Sequence, residues 1–114
     1  MSKRDELIGK YINDLRTKVG EDEPDVGLLR KVTIGCGPSI YNRDSETVSS
    51  SSTSEMETVK NNFLIRKLGL SDGPELMEGI EAVTEHYGRS NTSKYRAVFY
   101  YLLTKHFGKE SVYD

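Results

Sequence analysis

With 114 residues, 35% of them hydrophobic and 30% charged, the chain is long enough to bury one core without metals or disulfides, and is expected to form a single domain over residues 1–114. One cysteine, Cys36, excludes an internal disulfide. No run approaches the roughly 18 apolar residues of a bilayer span, and the opening MSKRDELIGKY lacks the apolar stretch of a secretory leader, so a reducing cytoplasm and no membrane are the expected setting.

The formal net charge of −2 hides an asymmetry along the chain. Asp44 to Glu85 carries nine acids against three bases, whereas Tyr87 to Lys109 carries five bases and no acid. Either acidic and basic helices pack side by side and neutralise, or a basic face meets an anionic partner.

Taken in order, Ser2 with Asp5 three residues on starts a helix. Leu7, Ile8, Tyr11, Ile12, Leu15 and Val19 continue it at helical spacing over residues 3–19, until Gly20 stops it. The acidic linker Glu21–Pro24 leads to a second helix over about 25–32, with Val26, Leu29 and Val32 on one face and Leu28 beside them. Gly35 to Pro38 predicts a turn, followed by a short helical turn or a packed irregular loop. The serine tract 49–54 has nothing to bury and is expected to be an exposed, mobile loop. Ser54 and Glu57 have capping-box spacing, and the stripe from Met56 to Leu68 ends at Gly69, with Leu70 placed for a Schellman-type contact. Asp72 is the expected cap of the next helix, which opens on Pro74 and carries Leu76, Met77, Ile80, Val83 and Tyr87 before Gly88. The last helix is expected to begin near Ser90 to Ser93 and to run to Phe107. These elements predict an all-α fold, a compact bundle of about five helices around an irregular Gly/Pro and Ser-rich centre, with no alternating run long enough for a sheet.

The strings TIGCGPSIYN (33–42), ETVKNNFLIRKLGL (57–70), YGRSN (87–91) and YYLLTKHFGKESVY (100–113) resemble a family of short bacterial proteins catalogued only as a domain of unknown function. The resemblance implies a helical bacterial cytoplasmic protein and carries over no activity, cofactor or site residue.

Four constellations bear on function. Arg89, Ser90, Asn91, Ser93, Lys94 and Arg96 place cations, hydroxyls and an amide around an expected helix N-terminus, a setting that binds phosphate or another anion and extends to nucleic acid; the competing reading is helix capping with solvated bases. Tyr95, Tyr100, Tyr101 and Tyr113 offer an aromatic surface for a protein partner or a second copy, because tyrosine buries a large area and keeps a polar tip; the competing reading is that they complete the core. Cys36 between two glycines sits where backbone amides can lower a thiol pKa, although a lone thiol is also a small buried hydrophobe. A nucleophilic thiol needs a base, and His86 and His106, both late in helices, are the only histidines. Cys36, His86 and His106 match no metal-ligand spacing, and Gly35–Ser39 lacks the ending of a phosphate-binding P-loop. The expected function is therefore a non-catalytic binding or protein-interaction module without cofactor or metal, with an anion- or nucleic-acid-binding protein using residues 89–96 as the alternative and a thiol enzyme at Cys36 as a distant third.

Overall fold

The computed structural model describes residues 2–114. Ser2 caps helix α1 (Lys3–Asp14), its hydroxyl accepting the Asp5 N–H at 3.1 Å. The rod continues as a π-helical turn, Leu15–Val19, and Gly20 stops it with φ 85°, a conformation that L side chains avoid. Helix α2 (Val26–Gly35) starts on Asp25, whose carboxylate accepts the Leu28 N–H at 3.1 Å, and it runs one turn beyond the expected end. The anticipated turn and short helical segment follow: a 3-10 turn over Gly37–Tyr41, then the one-turn helix α3 (Arg43–Glu46). Helix α4 (Thr53–Val59) continues as a second π-helical turn, Lys60–Ile65. Leu70 N donates to Leu64 O at 3.0 Å past Gly69, the Schellman-type stop widened by one residue to suit the π turn. Helices α5 (Pro74–Tyr87) and α6 (Arg96–His106) complete the bundle, and a 3-10 turn over Glu110–Tyr113 returns the chain to α2.

The fold is mainly all-α, and several details differ from the sequence expectations. A two-stranded antiparallel sheet is present, β1 (Thr47–Ser49) against β2 (Ser93–Tyr95), with Thr47 opposite Tyr95, Val48 opposite Lys94 and Ser49 opposite Ser93. Strands of three residues carry too little alternation to register as a period. Helix α6 consequently starts at Arg96 rather than near Ser90 to Ser93. The serine tract is a strand end, a turn and a helix start instead of a loop: Ser50 N donates to Thr92 O at 2.9 Å, and Ser52, not Ser54, caps α4 by accepting the Glu55 N–H at 3.3 Å. Asp72 does not cap α5, whose N-cap is Gly73; its carboxylate lies 3.5 Å from the Lys60 ammonium.

Helix α6 is the axis of the core. Ala97, Val98, Phe99, Tyr101, Leu102, Leu103 and Thr104 are buried on every side, the signature of a helix surrounded by others. It packs against α2 on one flank and α5 on another, with α1 and α3 closing the shell. Each such leucine or phenylalanine contributes about 1.5–3 kcal/mol by leaving water. Close approach of α5 depends on Gly79, where an added Cβ would overlap the Phe107 ring.

Candidate functional site

The strand β2 decides the fate of the basic segment. Because Ser93, Lys94 and Tyr95 alternate across the sheet, Lys94 points inward and is fully buried. Its ammonium donates to Ser50 Oγ and Gly88 O, each at 2.9 Å, and to Asn91 O, with the Tyr87 ring centroid 5.4 Å away. All three donors are satisfied by neutral acceptors, and loss of water pulls the Lys94 pKa down, with the Arg89 charge adding to the effect. Arg89 turns back to α5, 2.9 Å from Glu81 and 3.3 Å from Glu85. Arg96 donates to Ser45 O at 2.8 Å and to the Tyr100 hydroxyl at 2.9 Å. Ser90 and Ser93 are exposed and Asn91 is half-buried, but the three cations of the segment face three different internal partners and do not converge.

Of the four tyrosines, three serve the interior. Tyr101 is buried, donating to Glu21 at 2.8 Å and accepting the Asp25 N–H at 2.9 Å. Tyr95 packs against Tyr11 at 5.1 Å, and Tyr100 stacks on Phe63 at 3.9 Å. Tyr113 is half-buried and belongs to the surface described below. Cys36 is also half-buried; burial pushes its thiol up to about 11, with Arg96 only partly offsetting. A nucleophilic cysteine needs the opposite shift and an adjacent base. His86 and His106 lie in the last turns of α5 and α6, as their positions implied, and line a different hollow of about 510 Å³ with Glu21 and Lys105. Lys105 reaches Glu21 at 2.6 Å there. Among the described residues no group of three or more His, Cys, Asp or Glu side chains is placed to hold a metal ion.

The remaining surface feature was not singled out from sequence. Helix α2 turns Ile34 outward, 48% exposed, and the 3-10 turn places Val112, 37% exposed, beside it. Tyr113 lies between them and the core, its ring 3.4 Å from the position a Cβ would take on Gly35. The turn thus packs on α2 at van der Waals distance, and Tyr113 borders three adjoining hollows of about 310, 240 and 170 Å³. The Lys67 ammonium sits 4.9 Å over its ring. Lys31 and Asp114 complete the rim, with Asp25 and Glu110 bordering the smallest hollow, and among the described residues neither Lys31 nor Lys67 forms an ion pair. Burial pushes the Tyr113 phenol up, so it remains an O–H group, and it makes no hydrogen bond within the described residues. Two exposed aliphatics, a tyrosine with a free hydroxyl and two unpaired ammoniums thus share one face.

A family model described as "Protein of unknown function (DUF2853)" matches residues 10–111. The chain belongs to this family. No curated protein matches it. Within the DUF2853 match lie α2 with Lys31 and Ile34, the Lys67 turn and both strands, while Val112 and Tyr113 follow its last residue.

Proposed function

We propose that this DUF2853 protein is a small non-catalytic interaction module that docks an acidic segment carrying apolar side chains onto the face of α2 and the 110–113 turn. The observation that supports the reading is the grouping of exposed Ile34 and Val112 with Lys31 and Lys67, neither of which forms an ion pair among the described residues, on a rim that Asp114 shares. Apolar side chains beside lysines that make no ion pair suit a ligand that brings a carboxylate to each lysine and a matching apolar stripe. Tyr113 is the natural anchor, since a large ring with two side-chain torsions and a polar tip gives much contact area for little lost entropy. The small patch supports a transient contact rather than an obligate assembly. In this reading the setting is the bacterial cytoplasm, where a lone thiol stays reduced. No helix among the described residues is long and apolar enough to cross a membrane.

The test is fluorescence anisotropy with two synthetic helical peptides that share a leucine stripe at four-residue spacing, one bearing glutamates and the other lysines. The acidic peptide should bind in the range of about 10–100 μM and weaken roughly five- to tenfold between 50 and 500 mM salt. Ile34→Asp and the pair Lys31→Glu, Lys67→Glu should each abolish binding. Equal binding of the basic peptide, or no binding of the acidic one at about 1 mM, would contradict the reading.

A further inference from the structure

Of the three hollows that meet at Tyr113, the one of about 240 Å³ has a lining of its own. Phe63, Tyr100 and Tyr113 give it aromatic walls, Gly35 contributes a side without a side chain, and the exposed Asn62 and Lys67 complete it. No carboxylate borders it, whereas Asp114, Asp25 and Glu110 border the other two. Phe63 is buried and stacks on Tyr100 with ring centroids 3.9 Å apart, and Arg96 holds the Tyr100 hydroxyl at 2.9 Å, so the inner wall is fixed by the core. The backbone places the polar groups. The π turn Lys60–Ile65 is closed by bonds five residues apart, Arg66 N to Asn61 O at 3.3 Å and Leu68 N to Phe63 O at 2.9 Å. At 3.6 residues per turn Asn62 and Lys67 would diverge by about 140°; the wider winding brings both to one hollow, and such turns recur at functional sites. Among the described residues the Asn62 amide, the Lys67 ammonium and the Tyr113 hydroxyl make no hydrogen bond or ion pair within the chain.

We infer that this hollow is a binding site for a small molecule with one aromatic ring and an acceptor oxygen, a carbonyl or carboxylate, attached to it. A cavity of about 150 Å³ is enough for a benzene ring, and this one leaves room for the substituent. The ring meets three aromatic side chains, which favour another ring over a saturated one through offset and edge contacts. Its oxygen accepts from the Asn62 amide, the Lys67 ammonium or the Tyr113 hydroxyl, the few convergent polar groups that orient a ligand in an apolar site. Because Asp114 borders the adjoining hollow, the selection is for an acceptor oxygen rather than for net negative charge, so a neutral amide and a carboxylate both qualify. An ammonium does not, since it has no acceptor and meets Lys67. Ile34 and Val112 do not line this hollow, so the inference goes beyond the docking reading and stands or falls apart from it.

The decisive experiment titrates the isotope-labelled full chain with four probes, benzamide, benzoate, cyclohexanecarboxamide and benzylamine, and follows the backbone amides. Benzamide and benzoate should shift Gly35, Asn62, Lys67 and Tyr113 with a Kd of about 1 mM, the range open to so few atoms. Cyclohexanecarboxamide should bind at least about fivefold more weakly than benzamide, and benzylamine should leave these amides unmoved up to about 20 mM. Tyr113→Ala removes one wall next to the chain end and should weaken benzamide about fivefold or more. Lys67→Met keeps the stem, removes the donor and should weaken benzamide and benzoate roughly three- to tenfold. Circular dichroism shows that each variant folds, and either one that does carries the test. Ile34→Asp, which disables the docking face, should leave benzamide binding unchanged, so loss of the peptide alone counts against docking and not against this site. No shift with benzamide or benzoate at about 20 mM, equal binding of the saturated amide or the amine, shifts centred away from this hollow, or folded variants that bind as before would overturn the inference.

Discussion

The Lys94 ammonium lies 2.9 Å from the Ser50 hydroxyl, tying strand β2 to the turn after β1 across 44 positions of the sequence. The same ammonium closes the Gly88–Asn91 turn by donating to two carbonyls and one hydroxyl. Removing the side chain leaves those carbonyls unpaired in a buried setting. Lys94→Ala is expected to cost roughly 2–4 kcal/mol and Ser50→Ala about 1 kcal/mol, read from urea midpoints at constant slope. A double variant whose cost equals the sum of the two singles would show that the pair is not coupled.

A second buried tie joins α1 to α5. The Tyr87 hydroxyl donates to the Asp14 carboxylate and accepts the Tyr95 N–H at 3.2 Å, so one phenol links three elements. Tyr87→Phe keeps the ring volume and strips the donor from a carboxylate that is only 5% exposed. We expect a loss of about 1.5–3 kcal/mol, checked by thermal unfolding; a change below about 0.5 kcal/mol would mean that Lys18 or water replaces the bond.

Gly79 tests the packing of α5 on α6. Helix propensity alone makes Gly79→Ala stabilising by up to about 1 kcal/mol. The Phe107 ring occupies the space of the new methyl, and overpacking costs roughly 1–3 kcal/mol, so the net expected sign is destabilising. A raised melting temperature would show that Phe107 swings aside freely.

Alkaline stability follows from the buried phenols and the thiol. Burial, and for Tyr11 and Tyr87 a neighbouring carboxylate, raise the folded-state pKa values of Tyr11, Tyr87 and Tyr113 above their ordinary 10.0; Cys36 rises from 9.0 to about 11. Each group holds its proton more tightly when folded, so its contribution is intact below its ordinary value and is lost as pH rises beyond it. Lys94, shifted down, acts in the opposite sense as pH climbs toward 10.5, but it is outnumbered, since Tyr100, Tyr101 and Lys105 are shifted up as well. Unfolding free energy should therefore be level to about pH 9 and then fall, by roughly 1.4 kcal/mol per pH unit for each group titrating in the unfolded chain alone. Urea titrations from pH 7 to 11 measure this, and Cys36 should react slowly with a disulfide reagent at pH 8 until urea exposes it. A fast reaction in the native state would contradict the raised thiol pKa.

Helix starts and stops were legible where a short side chain or a glycine acts locally: Ser2 caps, and Gly20, Gly69, Gly88 and Gly108 take positive φ at the ends of their helices. The sheet was not, because its three-residue strands exist only through pairing between distant segments, and Val48 opposite Lys94 looks apolar on one side alone. The inward turn of Lys94 also dispersed the basic segment, since a charge count along the chain carries no information about which bases find internal acceptors. Tyr113 was visible as a surface tyrosine, but Ile34 fell beyond the expected end of the second helix. Its outward position follows from α2 extending to Gly35, beyond the expected end near residue 32.

The most direct measurement is a proton–nitrogen correlation titration of the isotope-labelled chain with the acidic leucine-striped peptide. The account predicts shifts concentrated at Lys31, Ile34, Gly35, Lys67, Val112 and Tyr113. Shifts centred instead on Arg89 to Arg96, or none at saturating peptide, would contradict it.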